Sequence, residues 1–349
     1  MSSSITSYST YIVQSMVLYM GMSTVILGII GNMFNIIIFL SLKTFRENSC
    51  TFYLILMSFA NLGHLITGQF TRVMITGFNM DFTQSSLFYC KFRPFSLQLF
   101  TLISLTCLCF ATLDQFFATC SRIQWQQWSN IKIAYRLCAL STILWSIYCI
   151  PYLFYYYLTV SSTKGVTSCT FSNENFRRYH TYMNIIILRG ILPLTISVLF
   201  GTLAFKNVRQ IAYRTVPLVR RELDKQLTNM VLIHIIFSFF VLFPYLITSV
   251  IPVTTNVYND PISTAIFNIT INATACIYYL NSAVSIYMFI INYFMYIFSI
   301  HFISMFAFQN DFVNNLFMLF FIVVPIENNE QEQIKYYHYN YKFLSMLYI

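Results

Sequence analysis

The residues of this 349-residue chain that could do chemistry are its nine cysteines, five histidines and eleven carboxylates, and their spacing does not favour catalysis. Cys107-Leu108-Cys109 has a single intervening residue inside an apolar stretch, which is not a metal-ligand spacing. His64 and His234 each stand alone in apolar segments, with no carboxylate or cysteine placed to build an acid–base set. Interhelical hydrogen bonding is the role such isolated histidines take. Cys50, Cys107, Cys109, Cys120, Cys138, Cys149 and Cys276 read as small apolar packing residues. No metal or organic cofactor is expected. What remains is recognition chemistry: Arg72, Arg93, Gln98 and Arg189 lie in apolar surroundings with no acidic residue near them in sequence. A buried guanidinium needs acceptors. Their acceptors would have to be a carboxylate, a phosphate or carbonyls brought by another group. For Arg72 and Arg93 the competing reading is snorkelling to lipid headgroups.

The elements that must position these residues are seven long, almost charge-free stretches: Met16–Leu42, Phe52–Thr76, Leu87–Cys109, Ile133–Tyr157, Tyr182–Phe205, Leu227–Pro252 and Ala265–Ile290. Hydrocarbon about 30 Å thick takes about 20 apolar residues of helix to cross. With 57% hydrophobic and 9% charged residues, the chain has too little polar surface for a water-soluble globule. Continuous runs rather than short alternating ones favour helices over a membrane barrel. The fold class is all-α, an integral membrane bundle of seven helices. An N-terminal tail (1–15), the bundle (16–290) and an atypical C-terminal segment, apolar and then polar (291–349), are the expected divisions.

Charge fixes the orientation. With the N-terminus outside, eleven Lys and Arg fall on inner connections (43 to 225) and six on outer ones. That asymmetry follows the positive-inside rule, and it explains the excess of 20 basic over 11 acidic residues without nucleic acid as a partner. The uncharged first sixteen residues lack the basic start of a cleaved signal peptide. Cys90 and Cys169 both fall outside, where disulfides persist. The connections are short, no internal repeat suggests a transporter of duplicated halves, and the basic inner loop Lys206–Lys225 should extend the fifth and sixth helices. The sequons at Asn268 and Asn272 fall against the seventh helix, where chance matches are expected.

Several residues at ordered positions give the chain a resemblance to the rhodopsin-like (class A) G-protein-coupled receptors, closest in flavour to divergent invertebrate peptide-receptor-like or orphan members. Gly31-Asn32 matches that family's first-span pair, and Asn61 takes the place of its second-span Asp. Cys90 stands twenty-four residues before Asp114, the family's separation from the disulfide Cys to the acid ending the third helix. Trp145, Pro193 and Pro244 mark the fourth, fifth and sixth spans. The departures are Asp114-Gln115-Phe116 for Asp-Arg-Tyr, Leu242 for the aromatic toggle, and Ala283-Val284-Ser285-Ile286-Tyr287 for Asn-Pro-x-x-Tyr. They put the mid-membrane sodium site and conventional G-protein activation in doubt.

The resemblance implies a plasma-membrane receptor with an outer N-terminus, an extracellular anionic or peptide-like ligand and a cytoplasmic heterotrimeric G protein as partners. It implies a Cys90–Cys169 disulfide, a constraint of about 2–4 kcal/mol on the unfolded chain. Arg93, Gln98, Arg189, Phe243 and Tyr279 would meet the ligand, and Asn32, Asn61, Asp114, Gln115, Pro244 and Tyr287 would form the switch. Asp114 is expected to pair with Arg122 or Arg136, and Pro244 to kink its helix. Leu97 occupies the place of the amine-binding Asp, so an aminergic ligand is not expected. The alternatives are a receptor-derived protein that has lost signalling and a transporter. A transporter would normally carry intramembrane acids or broken half-helices, which are scarce in this chain.

Overall fold

The computed structural model describes residues 2–41, 43–160, 167–171, 173–211, 218–255 and 260–284. Seven long helices follow one another: α1 (Ser2–Ser41), α2 (Ser49–His64), α3 (Leu87–Thr119), α4 (Ile131–Cys149), α5 (Leu192–Ile211), α6 (Leu218–Thr254) and α7 (Pro261–Ala283). Two π-helical segments, Leu65–Phe70 and Val73–Gly77, carry α2 outward, and a longer one, His180–Ile191, leads into α5. Six of these helical units are long and apolar enough to cross a membrane by length and composition. The 23 residues of α7 rise about 35 Å, enough for a seventh crossing.

Local chemistry sets the helix starts. Asn48 accepts from the Thr51 amide, Ser86 from Tyr89, Asn130 from Lys132 and Asp260 from Ser263, each satisfying an amide that the first turn leaves open. α1 begins at Ser2, so helix extends through the residues expected as the N-terminal tail. No Gly or Pro occurs before Gly21, so nothing breaks the helix. The fourth span lies two residues earlier than expected, at Ile131–Tyr155: after a turn of helix over Pro151–Tyr155, Tyr156 opens a strand. Tyr287 and the whole 291–349 segment lie outside the described residues.

Packing runs α1 against α7, α2 against α3, and α5 against α3 and α6. The largest apolar cluster fills the inner half, with Tyr53, Leu54 and Met57 of α2, Cys107, Leu108 and Ala111 of α3, and Met230 and Val231 of α6. Lipid gives helices no hydrophobic drive toward one another, so close contact between small residues holds them together. At Gly28 a Cβ would lie 2.9 Å from the Cβ and 3.1 Å from the Cα of Ala283. The seventh-span alanine that replaces the family's Asn is thus the residue on which α1 closes.

Candidate functional site

Outside the bundle, β1 (Tyr156–Val160) and β2 (Thr167–Phe171) form an antiparallel hairpin in which Cys169 pairs opposite Leu158. A disulfide joins Cys169 to Cys90 in the first turn of α3, with the Cα atoms 5.7 Å apart. The hairpin is thereby fastened over the outer end of α3. Lys91 sits 4.7 Å above the Tyr157 ring, a second tie between the same two elements.

Below it lies a polar layer. Arg189 is 5% exposed and Gln98 fully buried, and the guanidinium Nη2 donates to Gln98 Oε1. Gln98 Nε2 donates to Asn184 Oδ1 at 2.9 Å, and the Tyr148 hydroxyl donates to that oxygen at the same distance. The tyrosines whose hydroxyls act on Arg189 electrostatically are Tyr278, Tyr245, Tyr152 and Tyr279. Arg72 donates to Asn272 Oδ1 on α7 at 2.6 Å, so it reaches across the bundle rather than out to headgroups. Arg72 and Arg93 both lie close enough to Tyr279 to act on it electrostatically. Three of the expected ligand residues, Gln98, Arg189 and Tyr279, are therefore buried in this layer, and Arg93 is half-buried beside it.

Phe243 is a correction. It is 50% exposed, stacks on Phe239, and shares the outward stripe of α6 with Ile236, Phe240 and Ile247. Helical periodicity places Leu242 and Tyr245 inward instead, where Leu242 packs with Tyr278, Tyr279 and Leu97. Counting back from Pro244 identifies the helix but not its face, which is why one residue's offset was enough to reverse it.

In mid-membrane the neutral groups form one network. Asn32 Nδ2 donates to the carbonyls of Gly28 (2.7 Å) and Ser282 (2.8 Å), Asn61 Nδ2 donates to Asn32 Oδ1 (3.4 Å), and Ser104 donates to Asn61 Oδ1 (2.6 Å). His64 Nδ1 lies 2.8 Å from the Ser282 hydroxyl, and its ring stacks on Tyr279 at 4.9 Å. Ser238 of α6 donates to Asn281 Oδ1 at 2.6 Å. This network links α1, α2, α3 and α7 through amides and hydroxyls. It holds the expected pair Asn32 and Asn61 together with His64, Ser104 and Ser282. The serines gave no distinctive sequence signal, since Ser is common on every helix.

At the inner end, Ser49 donates to both oxygens of Asp114, at 2.7 and 2.8 Å. Arg122 and Arg136, the partners expected for it, are both exposed. The N-terminal turn of α2 lies beside the carboxylate and supplies a hydroxyl at lower desolvation cost than a buried ion pair. Gln115 is 1% exposed, and its Oε1 accepts from Thr228 of α6 at 2.9 Å. Pro244 lies sixteen residues further along α6, which continues through it. Between Pro193, Leu242, Leu105 and Ser238 is a small apolar cavity with room for about one water molecule.

The decisive comparison concerns the whole bundle. The description "7 transmembrane receptor (rhodopsin family)" matches residues 31–285. The chain belongs to that family. No curated protein matches it. As a class A G-protein-coupled receptor it is a multi-pass membrane protein of a family of receptors, not of enzymes, and the plasma membrane is the family's typical location.

Proposed function

We propose that this receptor binds an extracellular ligand carrying acceptor groups, anionic or peptide-like, in the outer half of the bundle and signals through a cytoplasmic heterotrimeric G protein. One observation carries the reading: Arg72, Arg93 and Arg189 each have a buried Nε without a hydrogen-bond partner, and the outer acids are committed elsewhere. Asp81 takes the Thr83 amide and hydroxyl, Asp260 takes Ser263, and Glu174 pairs with Arg177 and Arg178. Buried donors without acceptors cost stability, and a ligand that supplies acceptors recovers it. The subgroup reading, a peptide-receptor-like member, rests on the same acceptor demand, because a peptide offers both carbonyls and a terminal carboxylate.

Inside, the Gln115–Thr228 bond ties α3 to α6 and supports a resting state in which the inner end of α6 is held in. Ligand packing near Leu242, Tyr245 and Tyr279 would release it by favouring the alternative position of α6. The test is a screen of anionic small molecules and peptides with a G-protein-dissociation readout, repeated on Arg189→Leu and Asp114→Ala. A responding ligand whose potency falls in Arg189→Leu at matched surface expression is the expected result. Unchanged potency with every active ligand overturns the assignment of Arg189.

A further inference from the structure

Resting on the receptor reading above, we infer that Arg189 and Asn184 form a subsite for a single carboxylate group, with Asn184 as the residue that sets its specificity. The argument begins with the direction of hydrogen bonds. An arginine can only donate, so the Gln98 oxygen must face Arg189. The Gln98 amide nitrogen then faces the other way and must donate, which turns the Asn184 oxygen toward it. That oxygen also takes the Tyr148 hydroxyl, which itself receives the Tyr179 hydroxyl at 2.9 Å. Every orientation in the chain is forced, and the surplus is all of one kind. Asn184 Nδ2 and Arg189 Nε are buried donors with no acceptor.

The winding of the backbone brings these two donors to one face. Asn184 and Arg189 both belong to the π-helical segment His180–Ile191, whose bonds run from each residue to the fifth beyond it. Both are among the buried residues of that segment, whereas in an α-helix residues five apart would diverge by about 140°. Their residues are 0% and 5% exposed, so neither donor is served by bulk water.

Charge selects the ligand. The subsite offers one fixed positive charge and two donor directions. A carboxylate brings one negative charge and two oxygens in a plane, and so balances both. A phosphate monoester would carry a second charge that this pair, with its one cation, does not balance, so it would have to draw on Arg93 beside Tyr156 and Tyr279. An ammonium group has only donors to add and meets a site already in surplus. The rings of Tyr152, Tyr245, Tyr278 and Tyr279 near Arg189 suit an aromatic or apolar body attached to the carboxylate.

The experiment uses the full-length receptor in lipid nanodiscs, with thermal unfolding followed in phenylacetate, phenyl phosphate or phenethylamine. Phenylacetate alone should raise the unfolding temperature of the wild type. Asn184→Leu should raise the half-maximal phenylacetate concentration about tenfold, as expected for losing one hydrogen bond to a charged group. Arg189→Gln should abolish the effect. Because that variant removes a buried cation and risks misfolding, Asn184→Asp provides a second arm. Its own carboxylate would occupy the subsite, so it should unfold at a higher temperature than wild type and ignore phenylacetate. Protection by phenyl phosphate equal to that by phenylacetate overturns the inference. So does an Asn184→Asp variant that is less stable than wild type or still responds, or a wild type protected by none of the three, in which case water serves these donors. Carboxylate protection with no ligand evoking G-protein dissociation would uphold the subsite and remove the signalling reading. Signalling with an Asn184-independent ligand would do the reverse.

Discussion

Replacing Thr228 with Val removes the hydroxyl that donates to Gln115 while keeping the side-chain shape, and so tests the bond between α3 and α6. The bond is 2.9 Å long and buried at both ends, with Gln115 1% and Thr228 2% exposed. Hydrogen bonds between membrane helices average about 0.6 kcal/mol and reach about 1.7 kcal/mol. Gln115 Nε2 already lacks a partner, so losing the Oε1 contact strips the amide of its bond to α6 and places the effect toward the upper value. If the bond exists only with α6 held inward, its loss shifts the resting equilibrium about 3- to 18-fold toward the active state. A receptor active in about 1% of molecules at rest would then be active in about 3–15%. The assay is ligand-free G-protein dissociation in cells, at surface expression matched by an N-terminal tag. Thr228→Ser, which keeps the hydroxyl, should remain at the wild-type level. Basal activity of Thr228→Val equal to or below wild type would refute the reasoning, since the bond would then be present in both states or in neither.

Two further outcomes follow from geometry already described. Gly28→Val should destabilise the receptor by about 1–3 kcal/mol in thermal unfolding, because the added atoms meet the backbone of Ala283 and not only the flexible end of Leu65. Gly77→Ala, whose Cβ would come no nearer than 3.3 Å to Leu18, should change it far less. The Asp260 carboxylate is held below its ordinary range by the Ser263 amide and hydroxyl at the start of α7. A depressed folded-state value means its contribution is present above the unfolded value near 3.8 and is lost as pH falls through the folded one. Amide exchange at Ser263 and Thr264 should therefore lose protection only in that acid window, and Asp260→Asn should flatten the dependence.

How much could be read in advance depended on whether a property is local. Length, the absence of charge and the inward bias of Lys and Arg determined seven crossings and their direction, because transfer into lipid is a sum over a segment and needs no partner. Cys90 and Cys169 could be paired by position within a family pattern. Leucine against tryptophan at 242 and glutamine against arginine at 115 were also visible as departures. Where α1 begins was less legible, because the first fifteen residues carry no charge and contain nothing that ends a helix.

The tertiary structure decided which of two neighbouring residues faces inward, as with Leu242 and Phe243, and which partner a polar group finds, as with Asp114 and Ser49. It also supplied Asn184, an unremarkable amide in an apolar run until the π-helical winding set it in line with Arg189. Hydrogen bonds are directional and short, so their partners depend on rotations of a few tens of degrees and shifts of about an ångström between helices. Hydropathy averages over such differences. That is why the membrane fold was written in the composition of each segment, while the chemistry of its interior had to wait for the segments to meet.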